Sequence, residues 1–282
     1  MSGNRTTSQP QVDGADPGAL PAAVAAFLSQ WPASIASVKQ QNLLIEKIED
    51  ARGIRCIGKA PHPIWIVRRA ARAPRITCTI NVKSEGQTGE TVIFLDRSLP
   101  KLKIVCAGGD SSLAIGIGGR LLGRVILGEG SKIVIGDGST AEAFRATTHF
   151  SSIEIGKDCM LSSEVVLHCG RRHGLIDLND PDRHIKPGGG SLSIGNHVWL
   201  AYGTKLVNNA KIGDGSIVGA GAVVASRFPG NAIIAGNPAT IVRRDTTWSR
   251  NPDRIDDRTA SYLESLGHDE DTSSPNRSTA KG

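Results

Sequence analysis

Between Leu167 and Ile194 the chain concentrates side chains able to do chemistry: His168, Arg171, Arg172, His173, Asp177, Arg183 and His184, in a polar, glycine-rich run. An imidazole titrates near neutrality, so a histidine here could take a proton from an attacking group with little tuning. Guanidiniums beside it could meet an anionic or sugar ligand. A histidine in a polar loop is nevertheless most often only solvated. What decides between the two readings is the framework that holds the loop.

That framework announces itself on both sides. Ile194, Leu200, Leu206, Ile212, Val218 and Val224 are spaced six apart, and four positions after the first five stand Val198, Thr204, Ala210, Ser216 and Ala222. A period of six suits neither a helix nor a two-sided strand. It fits a parallel β-helix, in which short strands alternate with turns and coils stack on one another. The large residue fills the interior of the prism, and the small one lets the chain bend at the next corner. The period returns at Ile115, Leu121, Leu127 and Ile133, and in a second register at Ile155, Leu161 and Leu167. It breaks at 134–154 and 168–193. Insertions cannot enter stacked coils, so the long break must loop out on the surface.

Composition agrees. Aromatic residues make up 4% of the 282, too few for a core of Phe and Trp but suited to a narrow prism of Val, Ile and Leu. The net charge of +6 is carried by scattered basic residues, read as a solvated surface, with no compact basic patch interleaved with aromatics for nucleic acid. Five cysteines without close pairs (56, 78, 106, 159 and 169) fit reduced thiols in a cytoplasmic protein. No run reaches the roughly 18 apolar residues of a membrane span.

The expected organisation is a disordered leader over 1–18 and a segment of helices and irregular strands over 19–110. Regular coils with the extruded loop 168–193 follow over 111–245, then a largely disordered extension over 246–282. Leu20 to Trp31 and Ser37 to Asp50 have helical composition, broken by Pro32. Runs such as IWIV, ITCTINV, TVIFL and LKIVC read as strands, either of a cap over the first cross-section of the stack or of irregular early coils.

The stretch IGNHVWLAYGTKLVNNAKIGDGSIVGAGAVVASRFPGNAIIAGNPATIVRR (194–244) resembles the last coils of hexapeptide-repeat acyltransferases. Within that family it is most similar to acetyl-CoA-dependent O-acetyltransferases of sugars and surface polysaccharides. The resemblance implies an all-β, left-handed parallel β-helix, here with an N-terminal α/β cap, working as a homotrimer with acetyl-CoA in the groove between prisms and no metal. It places the catalytic base at His173 and a trailing acid at Asp177. The family's acidic residue two before the histidine is Arg171 here, so Asp177 is the candidate to orient the ring. His168, Arg171, Arg172 and Arg183 are then candidates to meet the acceptor. Groove-lining positions carry over onto Trp199, Tyr202, Ala220, Ala225, Ser226 and Arg227, and Arg243 and Arg244 onto the 3′-phosphate of CoA. His197 falls on a turn and reads as structural. The alternatives are an N-acetyltransferase for amino or nucleotide sugars, a zinc protein like the gamma-type carbonic anhydrases, and a non-catalytic scaffold. For zinc, His168 and His173 are suitably spaced, but the arginines between them oppose a cation.

Overall fold

The computed structural model describes residues 11–12, 20–35, 43–51, 53–60, 62–69, 79–82, 89–95, 101–170, 173–185 and 189–269. The chain is almost entirely β: a parallel β-helix whose coils stack in register. In the last coils one turn takes three hexads, since Ile194 pairs with Ile212, Leu200 with Val218 and Leu206 with Val224. Each hexad is therefore one side of a triangle. The large hexad residues point inward and are buried, and Val198, Thr204, Ala210, Ser216 and Ala222 are all 0% exposed at the corners. Burying each Val, Leu or Ile contributes about 1.5–3 kcal/mol, and this column of side chains is the core.

Upstream coils are longer than three hexads. Leu113, Ile133 and Ile153 stack on one another there, and the strand Thr140–His149 carries a bulge between Ala143 and Phe144. The long strands Leu121–Leu127, Thr140–His149 and Met160–Gly170 wrap the second and third sides without a break. Below them those sides separate into Trp199–Leu200 and Lys205–Val207. The first side ends in an Ile-Gly pair in successive coils: Gly116, Gly136, Gly156, Gly195 and Gly213 each donate an N–H to the carbonyl of the coil below. A Cβ at any of them would run into the turn of the next coil, which is why the repeat demands glycine there.

The segment before residue 111 follows the second of its two alternatives. Arg55–Ile57, Thr79–Val82 and Lys101–Cys106 pair in parallel, as do Ile64–Arg69, Thr91–Leu95 and Ser111–Ile115, so the stack begins well before 111. The first side has apolar residues on both surfaces. Ile64, Ile66, Ile93 and Leu95 face in, while Trp65, Val67, Val92, Phe94, Ala114 and Val134 face out. Helix α1 (Ala22–Ser29) and the turn Ala33–Ile35 cover that outer surface through Val24, Phe27, Trp31 and Ile35. The expected cover over the end of the stack is thus a cover along its flank.

Two further expectations change. A helix over Ser37–Asp50 is not formed where the structure describes it: Leu43–Lys47 is a strand antiparallel to Ile64–Arg69, with Glu46 ion-paired to buried Arg68. Sheet pairing outweighs helical composition there. In the leader, Gln11–Val12 pairs with Leu44–Ile45, and the rest lies outside the described residues. Cys106, Cys159 and Cys169 are buried free thiols as expected, the first two pushed up to about 12 by burial, whereas Cys56 is free and exposed. Cys78 is outside the described residues.

The extension after 245 is also ordered, as far as Asp269. Residues 246–256 and helix α2 (Asp257–Asp269) lie against the corner between the first and second sides. His197 is stacked between Trp248 and Tyr262, each ring centroid 4.6 Å away. Its Nδ1 is 2.8 Å from Asp158 Oδ2 and its Nε2 is 3.0 Å from the Trp248 carbonyl. Asp158 also takes hydrogen bonds from Arg250 and Arg258. Burial opposes ionisation of Asp158, but the bonds from His197, Arg258 and Arg250 outweigh it and hold the carboxyl below its usual range. Asp256 caps α2 by accepting the N–H groups of Arg258 and Thr259. The reading of His197 as structural holds.

Candidate active site

The extruded excursion leaves at the corner between the third and first sides. The strand Met160–Gly170 ends there, and the chain returns at Gly190 to start the strand Ser191–Ile194. The corner is tied on the coil below: Asn208 donates its N–H to the His168 carbonyl, and Asn209 Oδ1 accepts the Ser191 N–H at 3.1 Å. On the coil above sit His149 and Phe150, with rings 4.6 Å apart, and His149 is in register with Gly170. The excursion itself is a small antiparallel hairpin, Leu175–Asp177 with Asp180–Ile185.

His173 stands exposed at the start of this hairpin, just beyond the corner. Asp177 Oδ1 accepts the N–H of Asn179 at 2.9 Å, so one carboxylate oxygen is occupied in shaping the hairpin turn. Arg183 is exposed on the returning strand, and His168 faces outward on the third side, in register with Thr147 above and Val207 below. Arg171 and Arg172 lie outside the described residues.

The expected donor-binding residues divide between two corners and two sides. Trp199 is half-buried on the second side, its Nε1 donating to Ser162 Oγ at 3.2 Å. Tyr202 and Ala220 follow at the corner between the second and third sides, where the Gly221 N–H bonds the Tyr202 carbonyl. A hydrogen bond from Tyr202 to Glu164 pushes its hydroxyl pKa up. Ala225 and Ser226, by contrast, form the third-to-first corner two coils below the excursion, and Arg227 pairs with Lys211 on the first side. Exposed Arg243 extends the outward row of Trp199, Ile217 and Ile233 on the second side, and Arg244 follows it. Within one chain, then, Ser226 lies under the excursion and Tyr202 lies one side away, about 20 Å along six extended residues.

Two open grooves flank the Tyr202 corner. One, of about 410 Å³ on the second side, is lined by Arg120, Glu142, Met160 and Ser162. The other, of about 550 Å³ on the third side, is lined by Arg124, Arg145, Glu164, Val166 and Lys205. Sequence reasoning missed His149, whose Nδ1 is buried without a partner beside the excursion. Counting one upstream coil back from Cys169 reaches that corner, but the upstream coil length was not legible. Among the described residues there is no group of three His, Cys, Asp or Glu side chains placed to hold a metal ion.

Residues 192–226 match the model of the bacterial transferase hexapeptide (six repeats). A polysialic acid O-acetyltransferase of Escherichia coli O1:K1 is 27% identical over 132 residues, which is 46% of this chain and 42% of that one. WbbJ of Escherichia coli K12, named as a lipopolysaccharide biosynthesis O-acetyl transferase, is 35% identical over 106 residues, 34% of this chain and 54% of that one. The chain thus spans about half the length of these curated relatives. The crystal structure of the polySia-specific acetyltransferase NeuO superposes with a TM-score of 0.64 at 22% identity, covering 76% of this chain and 97% of that one, a likeness of fold. The hexads, the Ile-Gly column and the stacked coils thus agree with the match over residues 192–226, where the chain carries the bacterial transferase hexapeptide repeat.

Proposed function

We propose that this chain is an acetyl-CoA-dependent O-acetyltransferase acting in the cytoplasm on a hydroxyl of a sugar or surface polysaccharide precursor. The observation that carries this reading is the exposed His173 at the mouth of a hairpin extruded from a hexapeptide-repeat prism. His173 takes the proton of the acceptor hydroxyl as its oxygen attacks the thioester carbonyl. The tetrahedral oxyanion is stabilised by a backbone N–H at a coil corner and then collapses, breaking the carbon–sulfur bond. The departing thiolate recovers the proton from the imidazolium, leaving ester and CoA. A positioned base of this kind contributes about 10²–10⁴ in rate, with orientation and oxyanion stabilisation supplying the rest. Asp177 keeps one oxygen free of the hairpin turn to steady the ring.

A single chain separates the hairpin corner from Trp199, Tyr202 and Ala220. A homotrimer would set the hairpin corner of one copy beside the Tyr202 corner of the next and so complete the cleft. In that cleft the small residues Ala220, Ala225 and Ser226 let the pantetheine arm approach backbone amides. Arg227, Arg243 and Arg244 are exposed and free to meet the phosphates of CoA.

The test is release of free thiol from acetyl-CoA across a panel of hydroxyl and amino sugars, with the product identified by mass. O-acetylation lost in His173→Ala, with CoA binding and oligomeric state kept, is the expected result. Transfer confined to amino sugars would replace the reading with N-acylation. Full activity in His173→Ala would remove the proposed base.

A further inference from the structure

The basic residues that look scattered in the sequence are not scattered on the prism. Parallel pairing sets Arg55, Thr79, Lys103, Arg124, Arg145, Val166 and Lys205 in one row on successive coils of the third side. Five of these seven positions are cations, about 4.8 Å apart per rung. Arg55, Lys103, Arg145 and Lys205 are exposed and Arg124 is half-buried with its Nε unpartnered. None of the five has an ion pair among the described residues. Like charges facing each other across neighbouring strands repel, so such a row is a standing cost unless a counter-charge lies along it.

The groove of about 550 Å³ lined by Arg124, Arg145 and Lys205 runs along this row. The acidic residue that lines it, Glu164, lies at the edge toward the Tyr202 corner and is bonded to Tyr202. The adjacent row toward the excursion reads Val105, Ile126, Thr147, His168 and Val207, so the track passes beside His168 on the coil that extrudes His173 and continues one coil further to Lys205. Neither row contains Phe, Tyr or Trp, and without aromatic platforms the track is poorly suited to single-stranded nucleic acid.

We propose that the third side is a docking track for an acidic polysaccharide, a chain with about one carboxylate or phosphate per sugar, whose repeat is comparable with the rise of one coil. This rests on the acetyltransferase reading and specifies its acceptor as a polyanion that is held over several sugars while one hydroxyl is presented to His173. The like-charged row also keeps this side out of the centre of any contact between copies, because burying unpaired cations is costly.

The test measures binding of a sialic acid oligomer, a dextran of equal length and an oligothymidylate to the full chain without donor, at several salt concentrations. The variants are Lys103→Gln/Arg145→Gln and a charge-matched control, Lys157→Gln/Arg254→Gln. Removing two exposed cations should weaken the sialic acid oligomer about tenfold at low salt and flatten its salt dependence, with the control and acetyl-CoA affinity unchanged. Equal loss in the control, dextran binding as tight as the sialic acid oligomer, or oligothymidylate binding as tight and equally sensitive would overturn the track. Loss of acetyl-CoA binding in the row variant would reassign the cations to the donor's phosphates and also overturn it. Oligomer binding that follows the row, without transfer to any acceptor, would count against the enzyme reading while upholding the track.

Discussion

The arm formed by 246–269 hangs on one carboxylate, and replacing Asp158 should release it. Asp158 is 21% exposed and bonded to His197, Arg250 and Arg258, themselves 2%, 23% and 46% exposed. The Arg258 contact is open to water and contributes at most about 1 kcal/mol. The His197 and Arg250 bonds are more enclosed, at about 1.5–3 kcal/mol for a hydrogen bond to a charged group, and the three are not additive. Asp158→Ala should therefore lower the free energy of undocking by about 2–4 kcal/mol. Amide exchange in α2 would then accelerate roughly 30- to 1,000-fold, while the coils around Leu200 and Leu206 stay protected. Exchange followed by mass spectrometry on peptides from 246–269 reads this directly. Unchanged exchange there, or equal acceleration in the coils, would refute the clasp as a local unit. Acid tests the same bond. Because the folded carboxyl titrates below its unfolded value of about 3.9, its contribution is complete above that pH and is lost as pH falls through the lower, folded value. Desolvation opposes ionisation of Asp256, but hydrogen bonds from Ser249, Thr259 and Arg250 overcome it and hold this carboxyl well below the usual range, so it acts in the same window. Arm release below about pH 4, monitored by Trp248 fluorescence, should accordingly be shallower in Asp158→Asn but not abolished.

Three further outcomes are expected. His173→Ala should cost about 10²–10⁴ in turnover, with acetyl-CoA affinity unchanged by calorimetry. Leu206, 0% exposed and stacked between Leu167 and Val224, should cost about 2–5 kcal/mol when cut to Ala, read as a fall in the thermal midpoint. Gly156→Ala would drive a Cβ into the Gly195 carbonyl of the next coil; if the Ile-Gly column is required for close stacking, this variant should be less stable than wild type, and an unchanged melting point would contradict that.

What the sequence made legible depended on how regularly the coils repeat. From 194 to 224 every side is one hexad and every coil three hexads, so interior and corner positions could be named residue by residue. Upstream the coils run longer than three hexads and carry a bulge at Ala143/Phe144, which moves the corners out of phase with the hexads and hid His149. The early strands of IWIV and TVIFL read as uninterrupted apolar runs because they lie on the first side, which is covered by α1 on its outer surface as well as filled within. The polar composition of 246–269 concealed an arm held by two aromatic anchors, Trp248 and Tyr262, by the cap at Asp256 and by the bonds of Arg250 and Arg258 to Asp158. The basic row was illegible for the opposite reason. Arg55, Lys103, Arg124, Arg145 and Lys205 follow one another at no single period, and only the pairing of strands sets them in one line. Net charge therefore carries little about such a surface, whereas register carries most of it: two chains with the same +6 could present either a dispersed coat or a continuous track. Along a solenoid, a charge's position within its coil is the variable that determines what the surface can bind.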